Sequence, residues 1–176
     1  ESMSVGPGSG SADVGPVISE RAHARILSHI DIALKEGAQV LAGGTVPDDE
    51  SLSDGYYVIP TVLGDVTSAM TIAREEVFGP VLAIIGVDSF DEALDLANDV
   101  RYGLSASLFT RDLNRVLEYT DRIEAGLVRV NGETAGVEPQ APFGGVKASS
   151  SNSREQGRAA LDFYTQVKTV YFDRSG

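Results

Sequence analysis

One segment of the sequence combines two carboxylates, an aromatic ring and a tight turn. Glu75 and Glu76 are adjacent, Phe78 follows after one residue, and Gly79-Pro80 leads into an apolar run. A carboxylate at the edge of a sheet can accept hydrogen bonds from the two vicinal hydroxyls of a ribose. An aromatic ring beside it can pack on a flat heteroaromatic ring. A solvated acidic pair near Arg74, with Phe78 in the core, explains the same residues, so both interpretations stay open at this point.

A second segment, residues 142–147, places two glycines between a phenylalanine and a lysine. Paired glycines tolerate positive φ and close backbone approach, so this segment predicts a tight loop. The phosphate-binding pattern G-x-x-x-x-G-K-[ST] is absent, because Val146 separates Gly145 from Lys147 and Ala148 follows. We therefore reject a P-loop here.

The remaining reactive residue types give no catalytic or metal site. His23 and His29 are six residues apart on a predicted helix, whereas a helical metal-binding pair needs a spacing of three or four. The serines at 149–153 lack the G-x-S-x-G pattern of a hydrolase. The chain has no cysteine, which excludes disulfides, Cys-ligated zinc and a cysteine nucleophile within it. From these residue types we expect no metal site, no serine-hydrolase site and no cysteine nucleophile in this chain.

Charge and hydropathy exclude two classes of partner. Fourteen Lys and Arg against 26 Asp and Glu give a net charge of −12, which repels phosphate backbones and anionic membrane surfaces. The longest apolar run, residues 81–87, is far shorter than the roughly 20 residues that span a bilayer. We expect neither nucleic acid nor membrane as a partner. The lack of cysteine fits an intracellular, cytoplasmic protein.

Strands and helices alternate along the sequence. Ser19 is a predicted N-cap and Gly37 a predicted C-terminal glycine of the first helix. The predicted strands span residues 39–41, 80–87, 105–110, 126–131 and 167–172, and the later predicted helices begin at Ser89 and span 112–123 and 154–163. The run 80–87 is typical of a strand buried on both faces. This order indicates an α/β fold with a parallel sheet flanked by helices. The sheet is predicted to be partial, because the three parallel strands 80–87, 105–110 and 126–131 are too few for a complete buried sheet.

Seven segments in order resemble the aldehyde dehydrogenase superfamily. They are residues 13–19, 55–63, 75–81 (EEVFGPV), 102–110, 126–131, 142–147 (PFGGVK) and 164–170. Each segment is weak evidence by itself, whereas seven in the same order along nearly the whole chain are strong. The resemblance implies that residues 1–165 are the C-terminal part of the catalytic domain and that 166–176 carry a terminal oligomerisation strand of a homo-oligomer.

The resemblance also implies roles for individual residues. Glu76 and Phe78 would contact the nicotinamide end of NAD or NADP. Thr134, Val137 and Phe143 would line the entrance of a small-molecule aldehyde, and Phe143 can equally be a core anchor of the glycine turn. The family's catalytic cysteine, its glutamate base and its oxyanion asparagine correspond to no position here. We therefore expect a fragment that is inactive alone, cut downstream of that cysteine.

The substrate class follows from two further segments. Residues 131–137 and 149–156 look most like dehydrogenases of 2-oxoglutarate semialdehyde (2,5-dioxopentanoate). Ser150 stands where much of the superfamily has glycine, which favours that branch over the betaine-aldehyde type. The alternative is a stand-alone, non-catalytic assembly or binding module derived from the family. This alternative directly explains why the chain has no cysteine and no nucleotide-binding half.

Overall fold

The computed structural model describes residues 3–136, 138–151 and 153–174. The chain divides into two compact units, Glu1–Asp88 and Ser89–Gly176. Each unit is built of short strands and helices, which confirms the predicted α/β class. Within these described ranges, no helix combines the length and the apolar character needed to cross a membrane.

The first unit contains a three-stranded sheet and two helices. Its elements are α1 (Glu20–Glu36), β1 (Gln39–Ala42), a short 3-10 helix (Glu50–Leu52), β2 (Thr61–Gly64), α2 (Thr71–Arg74) and β3 (Val81–Ala83). The strand order is β1-β2-β3, with β1 antiparallel and β3 parallel to the central strand. The parallel pair β2–β3 involves a strand that the sequence analysis did not predict, and β1 adds an antiparallel edge.

Local capping signals set the ends of α1 where the sequence predicts them. The Ser19 hydroxyl accepts a hydrogen bond from the Ala22 amide at 3.2 Å, which satisfies one of the free amides of the first turn. Gly37 has φ of +110°, a conformation that favours glycine, and its amide bonds back to the last turn. Between these caps, Ile26 and Ile30 turn inward and are 0% and 3% exposed.

The predicted strand 80–87 is wrong in length and in burial. β3 covers Val81–Ala83, and the side chains alternate between the two faces of the sheet. Val81 and Ala83 pack against the core cluster that includes Leu63, whereas Leu82 and Ile84 are 59% and 45% exposed. The physical reason is that α1 packs on only one face of the sheet, where Val81 meets the core. The side chains on the other face of β3 are therefore exposed within this unit.

The second unit contains two strand pairs and three helices. Its elements are α3 (Phe90–Asn98), β4 (Tyr102–Gly103), β5 (Ser105–Leu108), α4 (Leu113–Arg122), β6 (Leu127–Val130), β7 (Val146–Lys147), a short 3-10 helix (Gly157–Ala159) and α5 (Ala160–Tyr164). Strands β5 and β6 are parallel, and β4 and β7 are antiparallel. Ser89 caps α3 by accepting from the Glu92 amide, as the predicted capping box requires.

Two predictions for the C-terminal segment fare differently. The predicted helix 154–163 begins later than expected, because Gly157 adopts φ of +59° and a 3-10 turn precedes α5. Residues 165–174 lie outside any strand of this chain, and Val167 and Phe172 are 95% and 93% exposed. The oligomerisation strand and the boundary at 165/166 stay predictions, because a strand between subunits forms on a partner's edge.

Burial of Tyr119 makes the second unit sensitive to alkaline pH. Tyr119 is 5% exposed and packs with Leu94 and Ile123, and this burial raises the pKa of its phenol. The neutral phenol is favoured in the folded state, so this stabilisation is fully present below pH of about 10 and is lost as pH rises through the folded-state pKa. The Tyr119 hydroxyl is buried without a hydrogen-bond partner among the described residues, and such a group costs stability. We therefore expect Tyr119→Phe to be at least as stable in urea as the wild-type chain at pH 8 and to lose less stability at higher pH.

The matched control for this prediction is Tyr171→Phe, because Tyr171 is 84% exposed. Its alkaline loss of stability is expected to equal that of the wild-type chain. Identical alkaline curves for the two variants would contradict the assignment to Tyr119.

Candidate functional site

A pocket of about 350 Å³ opens beside the acidic turn in the first unit. Glu75, Glu76 and Phe78 lie on its wall, with an apolar floor that includes Ile72 and Val81. Both carboxylates are exposed, and the Phe78 ring is 74% exposed. The interpretation that places Phe78 in the core is therefore wrong. The pocket offers hydrogen-bond acceptors and an open aromatic face, which suits a ligand with hydroxyls and a flat ring.

A carboxylate from α1 anchors the helix that leads into this turn. Glu36 accepts hydrogen bonds from the Thr71 amide at 2.8 Å and from the Thr71 hydroxyl at 2.6 Å. α2 has no capping side chain of its own, so Glu36 supplies the acceptor that its first turn needs. The helix ends when Glu75 adopts extended backbone angles, and the next residues turn toward the pocket.

The backbone of the turn is strained at the residue that carries the ring. Phe78 has φ of +52°, a region that side chains with a Cβ rarely adopt. Gly79 follows, and a Cβ at that position would lie 2.5 Å from the Ile26 side chain in the core. The chain therefore passes close to α1 at Gly79. Strain of about 1–3 kcal/mol at such a residue persists only where the surroundings enforce it, and it is found often at functional sites.

Arg25 on α1 holds this turn from the side. Its guanidinium donates a hydrogen bond to the Val77 carbonyl at 3.1 Å and lies 5.8 Å from the centre of the Phe78 ring. That distance is within the range of a cation–π contact. Arg25 also lines a neighbouring pocket of about 450 Å³ with Ile18 and Phe78. The ring of Phe78 thus has a defined orientation despite its exposure.

The glycine turn of the second unit is closely packed. Gly144 and Gly145 are buried, and a Cβ at Gly126 would lie 2.0 Å from the Gly144 carbonyl oxygen. The Glu155 amide donates to the Phe143 carbonyl at 3.1 Å. The predicted tight loop is confirmed, and close backbone approach explains the glycines. Phe143 itself is half-buried.

Lys147 fastens the end of this turn to the rest of the second unit. Its ammonium donates to the carbonyls of Asn98 at 2.6 Å and Val100 at 3.2 Å, and it forms an ion pair with Glu124 at 2.5 Å. The Asn98 carbonyl belongs to the last turn of α3, where a positive charge is favourable. Lys147 has φ of +52°, so its backbone departs from regular strand geometry.

Comparisons with known proteins agree with the motif order. The sequence profile described as "Aldehyde dehydrogenase family" matches residues 1–170. The chain belongs to the aldehyde dehydrogenase family. It is 55% identical over 158 residues to the alpha-ketoglutaric semialdehyde dehydrogenase of Bacillus subtilis, covering 90% of this chain and 32% of the relative. It is 54% identical over 172 residues to the alpha-ketoglutarate semialdehyde dehydrogenase of Haloferax volcanii, covering 97% and 36%.

A solved aldehyde dehydrogenase has the same fold over nearly all of this chain. The Mycobacterium tuberculosis aldehyde dehydrogenase complexed with NAD+ superposes with a TM-score of 0.88 at 39% identity, covering 99% of this chain and 35% of that one. The chain therefore spans about a third of the length of the aldehyde dehydrogenases that it matches.

The predicted site residues of this aldehyde dehydrogenase chain fall into two groups. Glu76 and Phe78 line one pocket of the first unit. Thr134 and Phe143 belong to the second unit, where Thr134 is exposed and Phe143 half-buried. Val137 lies outside the described residues. The roles of all five residues stay predictions.

Sequence reasoning missed Arg25 and the anchoring role of Lys147. Arg25 lies 52 residues before the carbonyl that it binds, so no local pattern connects the two. Lys147 belongs to a rejected phosphate-loop pattern and to the family segment 142–147, and neither indicates that its side chain reaches back 49 residues to Asn98.

Proposed function

We propose that this chain is the C-terminal part of an NAD(P)-dependent aldehyde dehydrogenase that oxidises 2-oxoglutarate semialdehyde to the acid. The observation that carries the proposal is the strained turn that exposes Glu76 and Phe78 on one pocket wall. The two relatives that are 54% and 55% identical are semialdehyde dehydrogenases, which supports the substrate class.

The residues of the turn fit the nicotinamide end of the cofactor. The Glu76 carboxylate would accept hydrogen bonds from the ribose hydroxyls, and a charged acceptor makes such bonds stronger than a neutral one. The Phe78 ring would pack against the nicotinamide end, with Arg25 fixing the ring from the side. Bound NAD(P) accepts the hydride that aldehyde oxidation releases. These residues orient the cofactor and transfer no proton themselves.

The second unit would supply part of the aldehyde entrance. Thr134 lies in the described segment after β6, and Phe143 precedes the buried glycine turn. Val137 follows Thr134 in the sequence. A wall anchored by Lys147 and by Arg154, which donates to the Gly145 carbonyl at 2.9 Å, holds Phe143 in one place. A pre-positioned wall suits binding of a small substrate, because no ordering cost is added on binding.

The absence of cysteine defines the first test. Thiohemiacetal formation needs a thiolate, and these 176 residues contain none. We expect NADH to form with 2-oxoglutarate semialdehyde when the complete polypeptide that contains this sequence is assayed, and none when residues 1–176 are assayed alone. An antibody raised against this chain detects the native polypeptide, and the mass of that polypeptide shows how long a protein must be expressed for the assay.

Two results would separate this proposal from an assembly module. A native polypeptide no longer than this chain, with no aldehyde oxidation, would leave the module derived from the family. A polypeptide of roughly three times this length that reduces NAD or NADP with the semialdehyde supports the dehydrogenase. Acetaldehyde and betaine aldehyde serve as comparison substrates in the same assay.

A further inference from the structure

The loop that follows β6 is held at its start by hydrogen bonds between side chains and the backbone. The Asn131 side chain accepts from the Thr110 amide and donates to the Thr110 carbonyl, both at 2.8 Å. The Ser107 hydroxyl donates to the Gly132 carbonyl at 2.5 Å. These bonds fix the first two residues of the loop on β5 and the segment after it. Beyond them, Glu133 and Thr134 are exposed.

Arg129, a half-buried residue of β6, reaches the far side of the same loop. Its guanidinium donates a hydrogen bond to the Gly136 carbonyl at 2.5 Å. Gly136 has φ of +85°, and a Cβ there would lie 3.8 Å from the Arg129 nitrogen. The guanidinium therefore lies directly against a turn of the backbone.

Arg129 also lies near the residues where the loop returns. It lines a small pocket of about 110 Å³ together with Gly136, Ala141 and Pro142. Pro142 directly precedes Phe143 in the sequence. The positively charged guanidinium therefore donates one hydrogen bond to the loop and borders the segment that precedes Phe143.

We propose that Arg129 is a positioning residue that braces residues 131–136, the described segment after β6, and thereby helps to set the shape of the aldehyde entrance. This inference rests on the proposed function, since that function makes the loop the wall of the entrance. Arg129 itself touches no substrate. Its hydrogen bond to the Gly136 carbonyl restrains the backbone two residues after Thr134. Substrates long enough to touch the loop should therefore depend on Arg129, whereas a two-carbon aldehyde should not.

The test uses the full-length enzyme with Arg129→Leu, Arg129→Lys and the matched control Arg111→Leu. Arg111 is an exposed arginine of the same unit. We expect Arg129→Leu to raise KM for 2-oxoglutarate semialdehyde about tenfold, the effect of losing one charge-assisted hydrogen bond. Its kcat and its KM for acetaldehyde are expected to change less than about twofold. Arg129→Lys keeps a donor and is expected to recover most of the loss.

Hydrogen exchange at the amides of 133–136 gives a readout that does not depend on activity. Exchange is expected to be faster in Arg129→Leu than in Arg111→Leu and to return toward the wild-type rate in Arg129→Lys. If Arg129→Leu does not fold, Arg129→Gln, which keeps a polar side chain without the charge, is expected to show the same split between substrates and the same faster exchange.

Equal KM changes for both aldehydes in Arg129→Leu, or wild-type exchange of residues 133–136 in that variant, would overturn the role of Arg129; if Arg129→Leu does not fold, the same two results in Arg129→Gln would do so. A wild-type enzyme that does not oxidise the semialdehyde refutes the proposed function instead. In that case the exchange rates still decide whether Arg129 braces the loop.

Discussion

Replacing Glu76 with glutamine is expected to weaken cofactor use by the full-length dehydrogenase about tenfold to a hundredfold. The amide keeps the shape of the side chain but loses the negative charge, and hydrogen bonds to a charged partner contribute about 1.5–3 kcal/mol. Because Glu76 is exposed on the pocket wall, the change should leave the stability of the fold unaltered. Steady-state KM for NAD(P) and kcat measure the effect on cofactor use. The thermal midpoint measures the effect on the stability of the fold.

The matched control is Glu50→Gln, which removes the same charge from an exposed residue of the same unit. It corrects for the general effect of a less negative protein on a negatively charged cofactor. Wild-type kinetics in Glu76→Gln would refute the assignment of Glu76. A loss of equal size in both variants would assign the effect to net charge.

A single methyl group at Gly126 is expected to destabilise the second unit by about 3 kcal/mol. The added Cβ would lie 2.0 Å from the Gly144 carbonyl oxygen and 2.7 Å from the Gly145 Cα, and backbone cannot move aside as a flexible side chain can. The buried turn that carries Phe143 must shift to accept it. We therefore expect Gly126→Ala to lower the urea midpoint and, in the full-length enzyme, to raise KM for the aldehyde.

Gly132→Ala provides the control for this substitution. It lies six residues further along the chain, and a Cβ there would meet no atom within 4 Å. Its urea midpoint is expected to stay close to that of the wild-type protein. If both glycines tolerate alanine equally, the turn is more adaptable than the close approach indicates, and the explanation given for Gly126 is wrong.

Helix ends were predictable because their signals are local. Ser19 and Gly37 cap α1, and Ser89 caps α3, as the sequence indicated. The parallel pair β5–β6 also follows from its position around a helix. The length and burial of β3 were not predictable in the same way. An apolar run indicates that Leu82 can be buried. Whether it is buried depends on residues distant in the sequence, and in this unit Leu82 is 59% exposed.

The candidate site was predictable in composition and not in geometry. The residue types at Glu76 and Phe78 suggested a cofactor turn. However, neither a phenylalanine at position 78 nor its sequence neighbours indicate that its φ is positive. Nor does a local pattern show that Arg25 and Arg129 anchor loops, because each acts through the backbone of a distant or irregular segment. Contacts of this kind appear only once the chain is folded.

The backbone angle of Phe78 has a consequence for attempts to engineer the protein. Glycine or asparagine would occupy φ of +52° at lower cost, so a screen that rewards heat resistance alone will favour replacements at this position. Each such replacement removes the exposed ring. Libraries selected for thermostability should therefore lose the proposed contact with the nicotinamide end first at residue 78, and keeping phenylalanine fixed at this position would preserve that contact during directed evolution.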